Sequence, residues 1–162
     1  FFNLGEMENQ PIPTTSFEVF DKMDGSLGIL YWLNDVPHIA SRGSFSSDQS
    51  QKATELLHTK YKDSWKLLEI TKTYLFEIIY PENRIVLDYG TKEELVLLAV
   101  IDTQTGKEFP LEDIGFPVVQ KFDGINDIES LKQLSSDDKE GFVIKFQTGY
   151  VLQFFLCLLF CY

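Results

Sequence analysis

Apolar residues alternate with other residues on both sides of one short polar segment, and this pattern constrains the fold more than any other feature. The alternation runs over 17–19 and again over 27–31. A period of two predicts a strand on each side of the segment. Asp24-Gly25 lies between them, and Asp-Gly between two strands is a strong hairpin signal. The sequence therefore predicts a β-hairpin with Lys22 at its mouth.

Lys22 has two interpretations at such a turn. A lysine fixed beside a carboxylate and a hydroxyl can act as a nucleophile when its amine is partly neutral. A solvated turn lysine fits the same residues, and this segment taken alone favours that second interpretation.

Composition bounds the possible functions. A chain of 162 residues with 44% hydrophobic residues is expected to form one globular domain. The net charge of −11 argues against non-specific binding to a polyanion, so any nucleic-acid site is local or lies outside this chain. Residues 42–72 are the only locally basic stretch, with six Lys or Arg against four acids. No apolar run is long enough for a spanning helix, so no membrane partner is expected. The two cysteines, Cys157 and Cys161, indicate no disulfide framework, and a cytoplasmic location is the default expectation.

The remaining patterns predict an α+β class with several antiparallel strands and few helices. Helices are predicted over 47–61 and 126–134, and strands over 74–80, 85–89, 95–101 and 140–146.

Three polar residues stand out within this framework. Glu77 interrupts an apolar strand, which is unfavourable unless a partner or a ligand satisfies its carboxylate. Arg42 precedes a glycine and could present its guanidinium to a phosphate oxygen, although alone it is more typical of a surface arginine. His58 lacks a second ligand at metal-binding spacing, and we interpret it as structural.

The order of several segments resembles one enzyme family. Lys22-Met-Asp-Gly25 matches the Lys-x-Asp-Gly nucleophile motif of the covalent nucleotidyltransferases, which include ATP-dependent ligases and mRNA capping enzymes. Residues 75–89 resemble motif III of the phage T4 RNA ligase 1 type, and 140–144 resemble its motif IV. The segment 41–44 lies where that family places a basic residue before glycine. The resemblance covers about residues 1–150, in the family's order.

The resemblance implies a nucleotidyltransferase fold, similar to ATP-grasp ligases, with ATP bound between two mainly antiparallel sheets. It implies that Lys22 is catalytic and attacks the α-phosphorus of ATP. Pyrophosphate would leave and a lysyl-AMP phosphoramidate would form. AMP would pass to an RNA 5′-phosphate, and an RNA 3′-hydroxyl would displace it to seal the strand.

The resemblance also implies which side chains hold the nucleotide and the metal. Glu140 would bind Mg²⁺ or Mn²⁺, because hard carboxylate oxygens suit these ions. Glu77 would accept a hydrogen bond from the ribose, and Arg42 would steady the triphosphate. The residues implied to contact ATP are Asp24, Gly25, Arg42, Glu77 and Lys145.

One element departs from the family pattern. Motif V supplies a Lys-x-Lys strand after motif IV, but residues 151–162 contain no lysine. Lys145 is a possible basic substitute. We expect a nucleotidyltransferase domain over 1–150 and an apolar tail over 151–162 that reflects a truncated or altered reading frame, with a buried strand as the alternative. This chain would then bind ATP weakly and would not seal RNA.

Two other functions stay open at this point. The chain could be an inactive nucleotide- or RNA-binding remnant of the same fold. It could instead be a relative of capping guanylyltransferases or DNA ligases.

Overall fold

The computed structural model describes residues 2–3, 12–125, 127–128, 130–131 and 139–155. The chain forms two compact units, one of Phe1–Met23 with Val119–Tyr162 and one of Asp24–Val118. In chain order the elements are β1 (Phe2–Asn3), β2 (Phe17–Lys22), β3 (Ser26–Leu33), β4 (Val36–Ser41), α1 (Asp48–His58), a 3-10 turn (Ser64–Leu67), β5 (Lys72–Ile79), a second 3-10 turn (Pro81–Asn83), β6 (Glu94–Asp102), β7 (Glu108–Phe109), β8 (Lys121–Phe122), β9 (Gly141–Phe146) and β10 (Val151–Phe155).

The first unit is built on a sheet with the strand order β1-β10-β9-β2-β8. Strand β9 is antiparallel to both β10 and β2. Side chains alternate between the two faces of a strand, so residues opposite one another share a face. Val19, Ile144 and Leu152 lie in register on one face and are buried in the core of this unit. The other face carries Lys22, which lies opposite Gly141.

The second unit is built on an antiparallel sheet with the order β4-β3-β5-β6-β7. Helix α1 begins after Ser47, whose hydroxyl oxygen accepts a hydrogen bond of 3.2 Å from a first-turn N–H. Leu57 of α1 is buried in one core cluster with Phe76 and Ile78 of β5. Alternation therefore places Glu77, which lies between those two residues, on the opposite face of the sheet.

The predicted hairpin at Asp24-Gly25 is wrong. Strand β2 pairs with β8 and β9 in the first unit, whereas β3 pairs with β4 and β5 in the second. Gly25 does not adopt the positive φ that a tight hairpin turn requires. The turn that does so is Asn34-Asp35, with φ values of 51° and 61°, and it joins β3 to β4. The alternating pattern identified both strands but not their partners.

The strand predicted over 85–89 is also wrong, since this segment is irregular. The backbone N–H groups of Val86 and Leu87 donate to the carboxylate of Asp24 instead of to a neighbouring strand. The Asp24 carboxylate, more than 60 residues away in the sequence, takes the place of the backbone carbonyls of a neighbouring strand. The residues of 85–89 themselves do not indicate this partner.

The prediction of an α+β fold with two mainly antiparallel sheets is confirmed. The strands predicted over 74–80, 95–101 and 140–146 correspond to β5, β6 and β9, and the helix predicted over 47–61 corresponds to α1. None of the helices in the described ranges is long and apolar enough to cross a membrane.

Two predictions fall largely on residues that the structure does not describe. Within the short helix expected over 126–134, residues 126, 129 and 132–134 lie outside the described residues. Residues 156–162 of the predicted tail, which include both cysteines, also lie outside them. The first five tail residues form β10. The division of the chain after residue 150 stays a prediction.

Candidate active site

Lys22 is the last residue of β2, and it is held by the start of the neighbouring strand. Its Nζ forms an ion pair with Glu140, which directly precedes β9. The two side chains are only 15% and 16% exposed. The attraction in an ion pair at this depth is screened much less by solvent and salt than in an exposed pair. The structure therefore brings together the predicted nucleophile and the predicted metal ligand, although they are far apart in the sequence.

Phe155 completes the surroundings of Lys22. In the strand register Lys22 lies opposite Gly141, and Gly141 lies opposite Phe155, so the three residues share a face of the sheet. The ring centroid of Phe155 is 4.7 Å from the Lys22 Nζ, a cation–π contact. Gln153 lies two residues before Phe155 on the same face.

Lys145 lies on this face too, but not beside Lys22. It is four residues further along β9 than Gly141, which is a separation of about 13 Å along a strand. Its Nζ lies 5.0 Å from the ring centroid of Phe20. Its predicted role as a substitute for the motif V lysines stays a prediction.

Asp24 is 3% exposed, and it anchors an irregular loop of the second unit. Its Oδ2 accepts hydrogen bonds from the N–H groups of Val86 at 2.6 Å and Leu87 at 2.5 Å. Its own N–H donates to the hydroxyl of Tyr89 at 3.0 Å. A buried carboxylate is tolerated when hydrogen bonds satisfy it. Asp24 thus fixes the position of residues 86–89 relative to the start of β3.

Replacing Asp24 by Ala is expected to lower the free energy of unfolding by about 2 kcal/mol, because two half-buried N–H groups lose their acceptor. Asp24→Asn keeps an acceptor oxygen and should lose less. Amide hydrogen exchange measures the effect directly. Val86 and Leu87 should lose protection in the Ala variant and keep most of it in the Asn variant. Equal protection in the Ala variant and the unmodified chain would contradict this account.

Gly25 and Glu77 are neighbours in the second unit. A Cβ at Gly25 would lie 2.7 Å from the carbonyl oxygen of Ile78 and 3.3 Å from the Oε1 of Glu77. The missing side chain therefore leaves room for the Glu77 carboxylate. The predicted nucleotide residues Gly25 and Glu77 are thus brought together.

Ser26 and Asn83 continue the hydrogen bonding around this segment. The Ser26 hydroxyl donates to the Asn83 Oδ1 at 3.0 Å, and the Asn83 Nδ2 donates to the carbonyl of Ile78 at 2.8 Å. A cavity of about 250 Å³ lies alongside, lined in part by Asp24, Asn83 and Tyr80. Burial raises the pKa of the Tyr80 hydroxyl, which keeps it a neutral group there.

Two further predicted residues lie elsewhere in the second unit. Arg42 is exposed in the turn after β4, and its role stays a prediction. The Nε2 of His58 donates to the carbonyl of Pro37 at 2.7 Å, in line with a structural histidine.

Lys22, Glu140 and Lys145 belong to the first unit and Glu77 to the second, so a shared pocket of Lys22 and Glu77 also stays a prediction.

Comparison with known proteins gives the geometry its context. The sequence pattern of the family described as RNA ligase matches residues 1–159. This chain belongs to the RNA ligase family. A Thermovibrio ammonificans protein named "Putative RNA ligase" is 32% identical over 159 residues, which cover 90% of this chain and 41% of that protein.

Solved RNA ligases share the fold. A Naegleria gruberi RNA ligase mutant, solved with ATP and manganese, superposes with a TM-score of 0.65 at 19% identity, over 86% of this chain and 48% of that one. An archaeal ATP-dependent RNA ligase superposes with a TM-score of 0.60 at 19% identity, over 86% of this chain and 42% of that one. This chain thus spans less than half the length of these relatives.

The sequence alone does not reveal several contacts in this chain. The contact of Phe155 with Lys22 depends on the register of three strands, which no local pattern encodes. Tyr89 lies in the predicted strand over 85–89, and Asn83 is not singled out by the sequence. No local pattern marks either residue as part of the site.

Proposed function

We propose that this chain is the adenylyltransferase part of an ATP-dependent RNA ligase and that Lys22 is its nucleophile. The observation that carries the proposal is the placement of Lys22, from a Lys-x-Asp-Gly segment, at the end of β2 in an ion pair with Glu140. The family match over residues 1–159 and the ATP-containing structural relative support it.

The proposed reaction begins at the Lys22 amine. The ammonium first gives up a proton to solvent, and the freed electron pair forms an N–P bond to the α-phosphorus of ATP while the bond to pyrophosphate breaks. The resulting lysyl-AMP passes its AMP to the 5′-phosphate of an RNA. The 3′-hydroxyl of a second RNA end then displaces AMP and forms the phosphodiester.

Glu140 is the residue that would hold a divalent metal. The described residues contain no group of three or more His, Cys, Asp or Glu placed to hold a metal ion. Mg²⁺ or Mn²⁺ is commonly held by one or two carboxylates together with substrate phosphates, and Glu140 is the carboxylate proposed for that role. The bound ion would offset the negative charge of the triphosphate. Glu140 also keeps the Lys22 amine in position through their ion pair.

The other nucleotide contacts are proposed for residues of the second unit. Glu77, beside Gly25, would accept a hydrogen bond from the ribose, and Arg42 would contact the triphosphate. Asp24 would act by holding its loop in place, given its backbone partners. Lys145 would contribute positive charge on the Lys22 face of the first unit. The proposed location is the cytoplasm.

Lys22→Ala is expected to abolish covalent labelling by ATP. The measurement is incubation with α-³²P-labelled ATP and Mg²⁺ or Mn²⁺, followed by denaturing electrophoresis. The unmodified chain should label weakly, and the Ala variant should not label. Lys22→Arg should also fail, because a guanidinium stays protonated. Lys139→Ala is the matched control, since Lys139 is a neighbouring lysine paired with Asp21, and it should still label. Label in the Ala variant would contradict the proposal.

A second candidate function is an inactive nucleotide- or RNA-binding remnant of the same fold. The observation that favours it is β10, whose sequence Val-Leu-Gln-Phe-Phe has no lysine and whose Phe155 covers the Lys22 ammonium. Reversible ATP binding without any covalent label would support this candidate. Labelling with GTP in place of ATP, or sealing of DNA ends in place of RNA ends, would indicate a capping enzyme or a DNA ligase.

A further inference from the structure

A row of aromatic rings crosses the second unit. Neighbouring ring centroids in the row are 5.0 to 5.6 Å apart. The members in spatial order are Phe45, Tyr31, His38, His58 and Trp65, and together we call them the aromatic row. They come from β3, β4, the loop after β4, α1 and the 3-10 turn at Ser64–Leu67, so the fold assembles the row from separate segments.

The aromatic row is open to solvent. Phe45 is 73% exposed, the largest exposure among the big apolar side chains of the described residues. His58 is exposed as well, whereas Tyr31, His38 and Trp65 are half-buried. Exposed aromatic faces are surfaces on which unpaired bases can stack.

The row offers neutral ring surface rather than cationic charge at His38. Burial, and secondly the nearby His58, lower the pKa of His38. This shift favours the neutral form of the His38 ring. The Nε2–H of His58 donates a hydrogen bond to the carbonyl of Pro37, which fixes the orientation of the His58 ring.

Positive charge lies beside one end of the row. The chain carries −11 overall, yet residues 42–72 contain six Lys or Arg against four acids. Lys62 and Lys66 flank Trp65 in the sequence, and both are exposed. Lys66 pairs with Asp63 at 3.0 Å, and Lys62 is an exposed cation three residues before Trp65 in the sequence.

We infer that the aromatic row is a contact surface for single-stranded RNA. Bases stack on the exposed rings, and Lys62 attracts the phosphates. Alternating aromatic and basic side chains are the usual means of holding unpaired nucleotides without strong sequence preference. The inference rests on the proposed function, since a strand-sealing enzyme must hold RNA near its ends. It names a surface for that substrate outside the nucleotide residues.

The test is fluorescence anisotropy with a fluorescein-labelled 12-nucleotide RNA, without ATP, over a series of salt concentrations. Phe45→Ala should raise Kd at least about fivefold, since losing one stacking ring weakens binding by roughly that factor or more. The slope of log affinity against log salt should stay unchanged. Lys62→Ala should instead reduce that slope by about 0.7, the value for one phosphate contact on a single strand. Ile85→Ala, 64% exposed and outside the row, is the matched control and should bind like the unmodified chain.

A second readout does not depend on the variants. In a Trp32→Phe background Trp65 is the remaining tryptophan, and its fluorescence should be quenched when the RNA binds. The inference is overturned if the unmodified chain does not bind the RNA, if Phe45→Ala binds as well as Ile85→Ala, or if Trp65 fluorescence does not change. Because ATP is absent, a chain that binds RNA through the row but never labels with ATP would reject the proposed function and keep this inference.

Discussion

A chain carrying both Gln153→Lys and Phe155→Lys is expected to form lysyl-AMP at least about a hundredfold faster than the unmodified chain, the effect typical of charge-stabilising groups at a reacting centre. Both positions share the sheet face of Lys22, and the Phe155 ring lies 4.7 Å from its Nζ. Two lysines there would put positive charge beside the α-phosphate. They would also remove the ring that covers the nucleophile. The Lys-x-Lys pattern of motif V in similar ligases has the same spacing.

The matched control is Val151→Lys with Gln153→Lys. It adds the same charge to the same face of the sheet and leaves Phe155 unchanged. The lysine at position 151 lies opposite Lys145, whereas position 155 lies opposite Gly141, beside Lys22. We expect this control to gain much less activity. The rate of labelling by α-³²P-labelled ATP measures both variants. Equal increases in labelling rate for the two variants would show that added positive charge anywhere on this face attracts ATP, and that a lysine at position 155 has no special effect.

Gly141→Ala is expected to destabilise the chain by about 3 kcal/mol, the upper part of the range for overpacking a well-packed site. A Cβ at Gly141 would lie 2.1 Å from the carbonyl oxygen of Phe154 and 3.0 Å from the Cα of Phe155. These are backbone atoms, so no side-chain rotation relieves the clash. Strands β9 and β10 would have to separate next to Lys22.

Urea unfolding followed by circular dichroism tests this prediction. Gly43→Ala is the control, because nothing lies within 4 Å of a Cβ at that glycine and its φ is not positive. The control should change the free energy of unfolding by less than about 0.5 kcal/mol. Equal stability of the two variants would mean that β10 does not approach Gly141 as described.

The sequence predicts well what depends on local periodicity. Strands β5, β6 and β9 and helix α1 appear where apolar spacing placed them, because each has one buried face that the spacing reveals. Segment order, together with the family resemblance, also selected Lys22 and Glu140, which the structure joins in an ion pair.

The sequence fails where a distant group decides the structure. Asp24-Gly25 has the composition of a hairpin turn, but the Asp24 carboxylate binds amides 62 and 63 residues away. Because the N–H groups of Val86 and Leu87 donate to Asp24, they do not pair with a neighbouring strand, and residues 85–89 form no strand. Period-two alternation is identical for a strand in either sheet, so it does not show that β2 and β3 belong to different sheets.

The central claim is that Lys22 is the nucleophile of an RNA ligase adenylyltransferase. Its most direct test is peptide mass spectrometry of the Gln153→Lys, Phe155→Lys chain after incubation with ATP and Mn²⁺. The account predicts one added AMP, on the peptide that contains Lys22, and no added AMP when Lys22→Ala is introduced into the same chain. AMP on a different residue, or no AMP on any peptide of this chain, would contradict it.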